Sequence, residues 1–153
     1  MTGIGNDGDV LDDAQGRLQA TGAFDGVYRS ALPESRGGAA GDRLAAVVAP
    51  LDWEQTDDVD DETLVQSTRR VRWTLTLIVR DDDPEARERA LEKLLAVAQN
   101  ALDGQALAAL TIPGWTRLRR GRYQPPSAPE QRMTVTGEFA YWVAGFNGNA
   151  ADG

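Results

Sequence analysis

Cysteine and histidine are both absent from the 153-residue sequence. Their absence removes disulfide frameworks, Cys or His zinc sites, thiol nucleophiles and Ser-His-Asp triads. Lysine occurs once, as Lys93, so 15 of the 16 basic side chains are arginine. An enzyme built on this chain would have to work with carboxylates, Lys93, tyrosines or a metal held by oxygens. Long hydrophobic runs are lacking too, and none approaches the roughly 20 residues that span a bilayer. The first ten residues, MTGIGNDGDV, carry neither the basic region nor the apolar core of a signal peptide, so folding in a cytoplasm is expected. No GxxxxGK[ST] phosphate loop occurs, and the glycines of GIGNDG, Gly3 to Gly8, have no preceding strand to make a dinucleotide site.

What is present is the composition of a globular protein, 41% hydrophobic and 26% charged. The net charge of −8 is unevenly spread. Residues 1–62 hold 14 acids and 4 bases, whereas residues 63–153 hold 10 acids and 12 bases. An acidic chain is a poor general ligand for nucleic acid, because phosphate contacts need basic groups. The asymmetry suits attraction between one surface and another copy of the same chain.

The best-specified stretch is RWTLTLIVRDDDPEARERALEKLL, Arg72 to Leu95. Val71, Trp73, Leu75, Leu77 and Val79 alternate with Arg72, Thr74, Thr76, Ile78 and Arg80, the period of a strand with one buried face. A charged turn follows, with Asp83 placed as N-cap, Pro84 at the first helical position and Glu85 beside the positive end of the helix dipole. Leu91, Leu94, Leu95, Ala98 and Leu102 then fall on one helical stripe, and Gly104 can end the helix in a left-handed conformation. Upstream, Asp9 to Thr21 reads as a helix capped by Asp9 and stopped at Gly22. Phe24 to Ser30 reads as a short strand, Leu32 to Asp42 as a loop and Arg43 to Trp53 as a strand ending near Pro50. EQTDDVDDET, Glu54 to Thr63, reads as an acidic loop or hairpin tip. Downstream, Ala106 to Leu110 is a further helical turn. Trp115 to Tyr123 and Gln131 to Val143 are strands that form an antiparallel hairpin across the connection QPPSAPE. The order α-β-β-β-α-β-β predicts an α+β domain over residues 1–145, its antiparallel or mixed sheet of four to five strands carrying two helices on one face. Residues 146–153 read as a flexible tail.

Three groups invite a functional reading. The acidic cluster Asp57, Asp58, Asp60, Asp61 and Glu62 offers oxygens to a hard cation, but it lacks the glycine and spacing of an EF-hand loop. A solvated hairpin tip or a charged contact surface explains it more simply. Asp81, Asp82 and Asp83 stand at a strand end, where helix capping already accounts for Asp83 and no partner base is in view. Arg117, Arg119, Arg120 and Arg122, with Trp115 and Tyr123, look like a small nucleic-acid surface. Strand alternation would split them, Arg117 and Arg119 to one side and Arg120 and Arg122 to the other. Salt-bridged strand surface, or a subunit contact to the acidic hairpin, suits them better. Trp73 and Trp142 read as core or interface anchors.

The acidic first helix, then VRWTLTLIVRDDDPEARERALEKLLAVAQNAL, then the closing strand QRMTVTGEFAYWV together resemble the tail-terminator and tail-completion proteins of long-tailed bacteriophages and prophage-like particles. The likeness lies in element order and chemistry, and it departs from the family in a longer Pro-rich connection at Gln124 to Glu130. It implies a structural virion protein at the tail–neck junction, with no catalysis, cofactor or metal. Such proteins form a homo-oligomeric ring, typically a hexamer, on the head-proximal end of the tail tube. The implied partners are further copies of the chain, the tail tube protein and a head-proximal connector, with DNA passing the lumen unbound and no membrane contact. On this reading Asp58, Asp60 and Asp61 form one contact patch and Arg117, Arg119 and Arg120 the other. Other readings of the same sequence are a head–tail connector, a small carboxylate-based metal-dependent enzyme and a cytosolic binding domain.

Overall fold

The computed structural model describes residues 6–31, 42–61 and 64–144, and the backbone alone at residues 6, 57–61, 64–66 and 144. Helix α1 spans Asn6–Ala20, strand β1 Gly26–Arg29, β2 Leu44–Asp61, β3 Leu64–Arg80, helix α2 Pro84–Leu102, β4 Arg117–Tyr123 and β5 Glu130–Ala144. Short 3-10 turns at Leu107–Ala109 and Pro113–Trp115 lead from α2 into β4. The five strands form one sheet in the order β1-β2-β3-β5-β4. β1 pairs parallel with β2 and every other pairing is antiparallel, so the sheet is mixed and the fold α+β, as the element order predicts. The loop expected at 32–42 and the tail expected at 146–153 lie, but for Asp42, outside the described residues.

The period-2 pattern of β3 sets the layers. Val71, Trp73, Leu75, Leu77 and Val79 are buried on one face, beside Met133, Val135, Phe139 and Tyr141 of β5 and Ala46 and Val48 of β2. Onto this face α1 lays Val10, Leu11, Ala14 and Leu18, and α2 lays Leu91, Leu94, Ala98 and Leu102. Burying each such Leu stabilises the domain by roughly 1.5–3 kcal/mol. Trp73 needs a glycine opposite: a Cβ on Gly137 would come within 2.8 Å of the indole and 3.0 Å of Leu118. On the other face, among the described residues, a small group, Ala45, Val47 and Ile78 with Tyr28 against it, forms a second buried cluster.

Local signals fix the helix ends. The Asp83 side chain accepts from the Glu85 amide at 3.2 Å, and Pro84 opens α2 as expected. Buried Arg87 donates to the Asp81 carbonyl at 2.8 Å, which ties the helix start to the end of β3. Gly104, at φ 78°, follows the C-cap, and Gly22, at φ 75°, follows α1. α1 starts at Asn6, so Asp9 lies in its first turn and is not its cap.

Candidate functional site

Of the two readings of the acidic stretch, loop or hairpin tip, the described residues bear out the hairpin, and Glu62 and Thr63 lie outside them. β2 continues through Pro50 and Trp53 to Asp61, with a register shift between Pro50 and Asp52, and β3 begins at Leu64. The two strands form a long hairpin arm in which Asp57 faces Ser67, Asp58 faces Gln66 and Asp61 faces Leu64, and β3 is paired on its other side with β5 as far as Gln66. Asp and Glu are poor strand formers on their own, but pairing with LVQSTRR holds them in the ladder. Asp58, Asp60 and Asp61 therefore stand at the far end of the arm, and their side chains lie outside the described residues.

Nearer the sheet the arm is knit by charge. Asp52 pairs with Arg72 through both carboxylate oxygens, and Arg72 holds the Asp52 carboxyl below its usual range chiefly through that hydrogen bond. Arg69 lies over Trp53, 3.8 Å from its centroid, and grips Asp7 of α1 with bonds of 3.2 and 2.6 Å. The Tyr141 hydroxyl donates to the same Asp7 carboxylate. Partial burial pulls the Asp7 carboxyl up, but the bonds from Arg69 and Tyr141 outweigh it and the net shift is down. Burial, with the bond to Asp7 and its charge, raises the Tyr141 phenol well above its usual value. This cluster fastens the N-terminus of α1 to the root of the arm. A groove there is lined by Asp52, Trp53, Glu54, Arg70, Arg72 and Glu138.

The arginines of β4 depart from simple alternation. A register shift between Leu118 and Arg120 inserts one residue. Arg117 then faces Glu138, Arg120 faces Thr136 and Arg122 faces Thr134, all register positions of the helix-free face. Arg119 reaches Glu138 at 3.4 Å. A bulge puts two residues opposite one and cancels the sign change that strict alternation requires. The four arginines are thus gathered toward one face, and all four are exposed.

Within one chain the strands that carry the acidic and basic patches are not neighbours. β2 and β4 are separated by β3 and β5, three strand spacings or roughly 14 Å at the ordinary 4.7–4.9 Å each. Sequence reasoning missed Asp7, Arg69 and Tyr141, whose partnership spans the chain and leaves no local spacing signal. Trp115 stacks under Arg70, 4.4 Å from its centroid. Asp81 and Asp83 are engaged in turn and cap bonds at the start of α2. Among the described residues no group of three or more carboxylates is arranged to hold a metal, and no helix is long and apolar enough to cross a membrane.

Neither a family model nor a curated protein matches the sequence. The fold does match a solved structure. The chain is similar to one described as "Virion of native gene transfer agent (GTA) particle", with a TM-score of 0.59 and 15% sequence identity, over 92% of this chain and 100% of that one.

Proposed function

We propose that this chain is a structural virion protein of the tail-terminator kind. Copies assemble into a ring, six in number, on the head-proximal end of a tail tube, stop the tube from growing and join tail to head. The observation that carries the proposal is the likeness to a chain of a virion, which runs the whole length of that chain and is not confined to a shared motif. The two oppositely charged patches on opposite sides of the sheet support it further. A head-to-tail ring needs one surface patch that fits a different patch on its neighbour. The proposal implies a homo-oligomer whose other partners are the tube protein and a head-proximal connector, with DNA passing through the bore.

The test is tube growth in the presence of the purified chain. Tail tube subunits polymerised with it should give tubes of limited length bearing a ring of density at one end by electron microscopy. Tubes of unchanged length with bare ends refute the proposal, and binding to portals alone would make the chain a connector instead.

A further inference from the structure

We infer that neighbouring copies join by backbone pairing: the free edge of β2 in one copy adds to the free edge of β4 in the next, making one continuous intersubunit sheet. This deepens the ring reading and rests on it for the occupant, a second copy of the chain.

The sheet's two sides are finished differently. β1 covers β2 only from Ala45 to Val48, and β1 itself is covered by α1. There Gln15 donates to the Val27 carbonyl at 2.8 Å and Gln19 accepts from the Val27 amide at 3.1 Å. From Asp52 onward no described strand or side chain bonds the outer edge of the β2 backbone. On the far side, Asp103 caps the Leu118 amide at 2.8 Å, and from Arg119 to Tyr123 no described residue bonds the outer edge of β4. Unpaired strand edges are templates for strand addition.

Charge selects which edges meet. Charged side chains ordinarily guard an edge against self-pairing. Here the β2 edge carries Asp52 and Glu54 and, in sequence, Asp57, Asp58, Asp60 and Asp61, while β4 carries Arg117, Arg119, Arg120 and Arg122. Like charges oppose β2–β2 and β4–β4 pairing, and opposite charges favour β2–β4. Exposed apolar groups accompany both edges: Leu51 and Trp53 are 50% and 56% accessible on one, Tyr123 47% on the other.

The strand directions also fit. β2 and β5 run one way, β3 and β4 the other. Rotation about a ring axis keeps the component of each direction along that axis, so where the strands run mainly along it β4 meets the β2 of its neighbour antiparallel, the arrangement with straight interstrand hydrogen bonds. Register links Arg117 through Glu138 and Arg72 to Asp52, so β4 lies level with the part of β2 from Ala46 to Asp52. The part of β2 that no described residue covers extends beyond that level. Neighbours must therefore be staggered along the strands, which a closed ring allows when the strands tilt from its axis, as in closed sheets.

The test has two parts. In the unmodified full-length protein, hydrogen–deuterium exchange is compared between dilute and concentrated samples. Amides in 52–61 and 119–123 should gain protection together as copies associate. Separately, two variants are made: one with Arg117, Arg119, Arg120 and Arg122→Glu, the other with Glu54, Asp57, Asp58 and Asp60→Lys. Each alone has two edges of the same net sign and should sediment as a monomer at least ten times above the concentration where the unmodified protein associates. Mixed one to one, they should form even-numbered oligomers. Association without protection at these two edges overturns edge pairing and leaves the ring reading standing. Association of either variant alone also overturns it. A protein that neither self-associates nor caps tubes refutes both.

Discussion

Asp7 joins the first helix to the arm, and its chemistry gives a pH signature. Arg69 grips it through both carboxylate oxygens and Tyr141 donates to it, with Asp7 and Arg69 side chains only 24% and 20% accessible. Its folded pKa lies below the unfolded value of about 3.9. A carboxylate shifted in that direction stabilises the fold fully above the unfolded pKa, and the contribution fades as pH falls through the folded one. Asp7→Asn is therefore expected to cost about 1–3 kcal/mol at pH 7, since it weakens charge-assisted hydrogen bonds that are largely shielded from water. In urea unfolding, the difference from the unmodified protein should shrink below about pH 4. A difference that stays constant down to pH 2 contradicts the assignment. Arg69 lies 62 residues from Asp7 in sequence, so no window of the chain announces the pair.

The elements differ in how openly the sequence declares them. Helix α2 was legible because its signals are local: Asp83, Pro84 and the stripe from Leu91 to Leu102 all lie within the helix or one residue from it. Asp83→Ala is expected to lower stability by ~1 kcal/mol, a Tm drop of about 2–4 °C, while exposed Asp82→Ala should cost under ~0.5 kcal/mol. Thermal unfolding of the two variants checks this, and equal losses would show that the cap at Asp83 does not matter. Beyond Trp53 the sequence offers a loop or a hairpin tip, and the length of the paired β2 and β3 strands was not legible. Residues 54–61 have the composition of a loop, and their extended form is fixed by partners on β3 in register. The same holds for β4. Alternation splits its arginines, but the inserted residue near Arg119 brings them to one side, and a bulge has no reliable mark in sequence. The candidate contact residues were thus identified by their charge, while their placement on two separate sheet edges came from the fold.

At the scale of the molecule, the fold is a mixed sheet with two helices on one face, and its outstanding surfaces are strand edges. β1 is sealed by glutamines of α1, whereas the outer part of β2 and most of β4 are left open among the described residues, with opposite charges. That arrangement favours contacts between unlike patches, which close into rings or run on as filaments, over face-to-face dimers. Contacts between exposed charges weaken as salt shortens the screening length, from about 10 Å at 0.1 M to about 3 Å at 1 M. The most direct measurement is native mass spectrometry across protein concentration and ionic strength. The expected result is a six-copy species that grows with concentration and dissociates toward monomer as salt rises. A monomer at every concentration, or a salt-insensitive dimer, would contradict the account.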